Sequence, residues 1–248
     1  RYREGKSVKY FLTSSPVDDN TGRLLEKNNF RERFISSLGE STDILYVASD
    51  PSAYEMTEFY ANDMVSRIEK EGVKVNSLTL LDDRNKGKAA SLFSKCNLVV
   101  FAGGHVPTQN KFFSSFPLKM LISRFKGTLL TISAGSMNCG KEVYLMPEEE
   151  GETKSEECNK LVKGIGLTSL VLIPHYRVEE DYYLDGINLY KDVVYPFFLN
   201  RAVMCIPDGT YIYSSEEGEV IAGECWSIYG GKRNKISEDG EEVFVEKE

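Results

Sequence analysis

The sequence predicts an α/β fold: a mostly parallel central sheet flanked by helices, with a short antiparallel extension at the C-terminal end. Three observations predict it. Short apolar runs alternate with helix-period patterns up to about residue 135. Continuous apolar runs such as ILYVA at 44–48 suit strands buried on both faces, as parallel strands are. Beyond residue 203, strand-like pieces at 211–213, 220–222 and 225–229 are separated by glycine turns, as in antiparallel hairpins.

In chain order, 8–12 opens the sheet and 44–48 is the next strand. Ser52-Ala53-Tyr54-Glu55 has the form of a capping box. The helix it would start carries Met56, Tyr60, Met64 and Ile68 at four-residue spacing, with Gly72 placed to end it. A strand over 73–80 and a short helix over 87–95 follow, and 98–102 is a strand leading to a double glycine. Residues 108–125 form a second long helix, with Pro117 inside it or splitting it. The strand 128–132 leads to Ser133. The acidic stretch PEEEGETKSEE at 147–157 reads as a solvated loop. From 179 to 198 the chain is rich in Tyr and Phe, which suits a cover over the active-site edge, a subunit contact in a homodimer, or a packed helical excursion. The charged tail at 230–248 is a peripheral hairpin or frayed. No repeat or linker divides the 248 residues, so a single domain is expected.

A net charge of −8, with both signs interspersed, disfavours nucleic acid or an anionic membrane as the main partner. No apolar stretch approaches the length of a membrane span, and RYREGKSVKYFLTSS lacks the apolar core of a secretory signal. The five cysteines (96, 139, 158, 205 and 225) form no CxxC pair. They predict free thiols in a reducing cytoplasm, with no disulfide framework and no zinc site.

Chemistry gathers where apolar runs end. LVVFA runs into Gly103-Gly104-His105, TLLTI into Ser133-Ala134-Gly135, LVLI into Pro174-His175, and VMCI into Pro207-Asp208-Gly209. The carboxyl ends of parallel strands share one edge, where such folds bind ligands. A serine on a sharp strand-to-helix turn holds its hydroxyl clear of the backbone, and its neighbours must be small. Ala134, Gly135 and Ser136 are small, although Thr131 stands where the G-x-S-x-G pattern has glycine. Such a hydroxyl needs a base, and His175 and His105 are the only histidines. His175 is favoured; His105, directly after the double glycine, suits a wall or substrate-binding role. Asp208 would accept the imidazole N–H, although Pro-Asp-Gly is also a common turn; Glu148 is a second candidate acid. Gly103-Gly104 and the N–H of Ala134 suit an oxyanion hole. Neither GxGxxG nor GxxxxGK[ST] occurs, so no dinucleotide or phosphate loop is expected.

The stretches FAGGHVPTQN, ISAGSMN, LIPHY and CIPDGTYI, in this order, resemble the dipeptidase E and cyanophycinase family of serine peptidases. That resemblance implies a class I glutamine amidotransferase-like, flavodoxin-like fold, with no metal and no organic cofactor. It implies Ser133 as nucleophile, His175 as base, Asp208 as acid, Glu148 as a second acidic residue, and Gly104 and Ala134 as oxyanion donors. His105 stands where many members have Asn or Asp. Members act on peptides bearing aspartate, so a basic residue is implied that reads this carboxylate; Lys141 and Arg177 are the candidates. Amidotransferases of the wider fold use cysteine at the elbow, so glutamine hydrolysis is disfavoured and Cys139 reads as a packed thiol. The function expected is a serine hydrolase acting on a short peptide or isopeptide. A non-catalytic binding member of the fold and an esterase are the alternatives.

Overall fold

The computed structural model describes residues 8–178 and 181–245. Its centre is an eight-stranded sheet. Strands β1 (Lys9–Thr13), β2 (Ser41–Val47), β3 (Lys74–Leu81), β4 (Leu98–Phe101) and β5 (Thr128–Ile132) are parallel to one another. A second sheet holds β6 (Leu172–Ile173), β7 (Val203–Cys205), β10 (Cys225–Tyr229) and β11 (Lys232–Ser237). Between its members in sequence, β8 (Tyr211–Ser214) and β9 (Glu219–Ala222) return to the main sheet, and β12 (Glu242–Phe244) forms its edge. The main order is β12-β9-β8-β1-β5-β4-β2-β3, antiparallel from β1 toward β12. The expected parallel sheet with an antiparallel C-terminal extension is therefore present. A difference lies in the runs LVLI and VMCI: they pair in parallel with each other, outside the main sheet.

Alternation along the buried strands divides the core into two layers. On one face Leu45, Val47, Val99, Phe101 and Leu129 pack against α3 (Ala89–Phe93), α4 (Val106–Ser114) and α5 (Leu118–Arg124). On the other, Ile44, Tyr46, Leu98, Val100 and Leu130 meet α1 (Phe30–Ser36) and α2 (Tyr54–Lys70). Phe11, Phe30, Phe34 and Tyr211 close one end of this layer with edge-to-face rings. Pro117 splits the helix expected over 108–125, because its ring and missing N–H interrupt the ladder.

Two local expectations fail. The capping box does not form: Ala53 is the N-cap of α2, and the Ser52 hydroxyl donates instead to Asp50. The four-residue stripe of α2 is also only half buried, since Met64 and Ile68 are in the core whereas Met56 and Tyr60 are exposed. Gly72 ends α2 as expected, with φ of +85°.

The aromatic-rich segment packs into a third core. Leu189, Tyr190, Val193, Val194 and Phe198, on a π-helical turn at Leu189–Val194 and the residues after it, cover Tyr144, Ile173 and Cys205. All five cysteines are free thiols. Among the described residues, no helix is long and apolar enough to cross a membrane.

Candidate active site

Ser133 stands alone between β5 and α6 (Ala134–Met137), with φ 49° and ψ −110°. Side chains rarely adopt such a conformation, which costs about 1–3 kcal/mol and persists only where the surroundings fix it. Here the Ser133 N–H donates to the carbonyls of Thr13 (3.0 Å) and Ser14 (3.1 Å), and its carbonyl accepts from Ser136 and Met137. Gly135 lets the elbow lie against β4, because a Cβ there would be 2.9 Å from both Cβ and the carbonyl oxygen of Phe101. Gly135→Ala is therefore expected to destabilise the protein by about 1–3 kcal/mol, read as a lower midpoint in urea or heat. Thr131 is buried beneath the elbow, its hydroxyl 2.7 Å from that of Ser136, which also donates to Thr13 O. The position that is glycine in G-x-S-x-G thus helps to anchor the turn.

His175 and Asp208 follow the adjacent parallel strands β6 and β7, which deliver them side by side at carboxyl ends. His175 Nδ1 is 2.7 Å from Asp208 Oδ1, and Nε2 is 2.9 Å from Ser133 Oγ. Burial by itself would raise the Asp208 pKa. Hydrogen bonds from His175 and Ser14, with the charges of His175 and Arg177, prevail and hold it below the ordinary range. The ionised carboxylate is acceptor only, so Nδ1 carries the proton and Nε2 is left to accept from the Ser133 hydroxyl.

Ser14 completes this arrangement, and the sequence reading missed it. It sits just past the end of β1, fully buried. Its hydroxyl donates to Asp208 Oδ1 (2.7 Å) and accepts from the backbone N–H of His175 (2.7 Å). It thereby fixes both neighbours, including the φ of 55° at His175. Its only sequence signal is position: it ends a fifth apolar strand.

The acidic stretch is pinned rather than free. Glu152 accepts from His105 Nε2 (2.8 Å) with one oxygen and from the N–H groups of Glu148 and Glu149 with the other. Asp185 accepts from Gly151 N, Thr153 N and the Thr153 hydroxyl. His105 caps neither the cleft nor the serine: its Nδ1 meets the Thr108 hydroxyl, and the ring clamps the acidic loop. Glu148 is thereby held in a hollow of about 360 Å³ that His175 also lines. No hydrogen bond joins its carboxylate to the imidazole among the described residues. Glu148 is exposed at the rim, yet the loop and the hollow crowd its carboxyl. This loss of solvent, against the pull of His105 and with Glu152 adding, lifts its pKa to about 7.

On the other side of the serine, a cleft of about 520 Å³ is lined by Ser133, Gly103, Gly104, His175, Met56 and Tyr60, among others. At Gly104 a Cβ would be 2.3 Å from Ser49 Oγ, so only glycine lets this loop lie along the cleft. Gln109 ties the loop down by donating to Ala102 O (2.7 Å), and Asn138 donates to Gln109 in turn. Ala134, buried at the start of α6, adjoins the same wall. Neither candidate carboxylate reader lines this cleft: Lys141 lies beside Gly166, and Arg177 lines a separate hollow with Tyr176 and Asp181.

The chain superposes on a peptidase from an acI-B1 actinobacterium with a TM-score of 0.69, at 15% identity, covering 98% of this chain and 99% of that one. A protein of Listeria monocytogenes EGD-e, provisionally assigned as a peptidase E, gives 0.57 at 15% identity, covering 93% and 99%. The fold is peptidase E-like. No family model and no curated protein sequence matches the chain.

Proposed function

We propose that this protein is a serine peptidase that cleaves a short peptide or isopeptide bond through an acyl-enzyme. The observation that carries the reading is the continuous line from Asp208 Oδ1 through His175 to Ser133 Oγ, with contacts of 2.7 and 2.9 Å. It lies at strand ends in a fold similar to those of an actinobacterial peptidase and of a Listeria protein provisionally assigned as a peptidase E. Contact between serine and imidazole also counts against a purely non-catalytic role.

His175 Nε2 takes the Ser133 proton as Oγ attacks the scissile carbonyl carbon, and Asp208 stabilises the imidazolium that forms. The carbonyl oxygen becomes an oxyanion held by the N–H groups of Gly104 and Ala134. The carbon–nitrogen bond then breaks as His175 protonates the leaving amine. Water, deprotonated by the same nitrogen, releases the acid and restores Ser133. No metal or organic cofactor enters any step.

A hydrolysis screen over N-terminally varied dipeptides and acyl esters, run beside labelling with a fluorophosphonate, tests this. Turnover of a peptide and stoichiometric labelling at Ser133, located by mass spectrometry, are expected. Labelling at another residue, or turnover of esters alone, would overturn the peptidase reading.

Glu148 supplies a pH test with a definite sign. Above about 7 its carboxylate is ionised, and a negative charge beside His175 favours the imidazolium that forms during attack. Below that pH the group is neutral, as glutamine always is. The ratio of wild-type to Glu148→Gln kcat/KM is therefore expected to rise from about one at acid pH to about threefold at alkaline pH, a partly solvated charge pair being worth little more. A ratio that stays flat across this range would remove Glu148 from the site's electrostatics.

A further inference from the structure

The two hollows that meet at His175 differ in chemistry, and the reaction assigns them different halves of the substrate. The imidazole must protonate the leaving amine, so the leaving group lies on its side, in the hollow with Glu148, Tyr182 and Leu189. The acyl half then occupies the larger cleft, which holds Ser133 and the double glycine.

That acyl-side cleft is acidic. Asp19, Asp50 and Asp63 line it, and among the described residues no lysine or arginine does. Arg67, which pairs with two of these carboxylates, is itself buried. Its guanidinium is committed to Asp63 (2.6 Å), Asp19 (2.8 Å) and the carbonyls of Asp18 and Arg23. One guanidinium therefore faces two carboxylates, and Asp50 is balanced by none of these contacts. Asp50 Oδ1 accepts from the Ser52 N–H and hydroxyl, and the Ala53 N–H also favours its charged carboxylate, but no cation pairs with it among the described residues.

Tyr46 is a second, independent sign of a ligand. It lines the cleft, its side chain is only 2% exposed, and its hydroxyl makes no hydrogen bond among the described residues. The hydroxyl keeps a small contact with solvent, and because the side chain lines the cleft a ligand there can reach it. Burial, with Tyr60 and Asp63 adding, pushes this phenol well above its ordinary pKa. The phenol oxygen and the carboxylates offer acceptors, and the rings of Tyr46 and Tyr60 offer π-faces to a cation.

We infer that the acyl side of this site takes a residue with a cationic side chain, arginine or lysine, read by Asp50, Asp63 and the Tyr46 hydroxyl. An aspartate side chain there would meet like charge and, among the described residues, no basic reader. The inference rests on the serine peptidase reading for its division of the cleft, and binding tests it separately from catalysis.

Calorimetry on the Ser133→Ala protein with the dipeptides Arg-Tyr, norleucine-Tyr and Asp-Tyr isolates the side chain, since all three carry the same α-ammonium. Arg-Tyr is expected to bind at least about tenfold more tightly than either of the others, a difference of about 1.4 kcal/mol. Adding Asp50→Asn, which keeps the acceptor for Ser52, or Tyr46→Phe, which keeps the ring, is expected to weaken Arg-Tyr by about threefold or more and to leave norleucine-Tyr unchanged. Equal binding of Arg-Tyr and norleucine-Tyr, tighter binding of Asp-Tyr, or no binding of Arg-Tyr would overturn the inference. If the preference holds while the wild type cleaves nothing, the peptidase reading fails and the cationic pocket stands.

Discussion

Ser133→Ala is expected to lower kcat on a cleavable dipeptide by on the order of 10⁴- to 10⁶-fold, with KM shifted by less than about threefold. The magnitude follows from losing the atom that forms the acyl bond, for which nothing beside it substitutes. Thr131 and Ser136 carry the nearest other hydroxyls in sequence, but both are fully buried and committed to each other and to the carbonyls of Phe11 and Thr13. The fold should be untouched. Alanine keeps the Cβ that already tolerates φ of 49°, and the Ser133 hydroxyl makes its hydrogen bond only to His175 among the described residues. An unchanged thermal midpoint together with lost turnover is the expected pair of results. A loss smaller than tenfold would leave Ser133 without the role of nucleophile.

The sequence made four strand ends legible because each is a short apolar run stopped by Gly, Ser or Pro. Such a run reads alike whichever sheet it enters, so the placing of LVLI and VMCI in a second sheet was not legible. Pairing between residues 172 and 204 is a long-range property. The misread stripe on α2 has a geometric cause. One helix face is core where it overlies the sheet, at Met64 and Ile68, and becomes cleft wall at Met56 and Tyr60, beside the carboxyl edge. The acidic loop misled for another reason: composition counts its carboxylates but not their donors, which come from His105 and from backbone N–H groups. Ser14 was hidden because TSSP after a strand looks like any strand end. Its role exists only through Asp208 and His175, 194 and 161 residues away.

Asp208→Asn is expected to lower kcat by about 10³- to 10⁴-fold, and Ser14→Ala by about ten- to a hundredfold. Glu148→Gln should stay within about tenfold at any pH. The ordering follows from which atoms touch the imidazole. Asp208 accepts the Nδ1 proton, and its depressed pKa keeps it ionised through the ordinary carboxylate range. An asparagine there can turn its NH₂ toward the ring, which leaves the proton on Nε2 and removes the acceptor that Ser133 needs. Ser14 acts one bond further out. Without its hydroxyl, Asp208 loses a donor and the His175 N–H loses its acceptor, so the Asp208 pKa should climb toward the ordinary value. Activity of Ser14→Ala should then fall off at a higher pH than the wild type as the medium is acidified, a change that simple misfolding would not produce. Ser14→Thr, which retains the hydroxyl, should recover part of the loss. If Glu148→Gln instead proves the severe variant and Asp208→Asn the mild one, the acid role passes to Glu148. The 2.7 Å contact at Asp208 would then be a structural bond of the strand end.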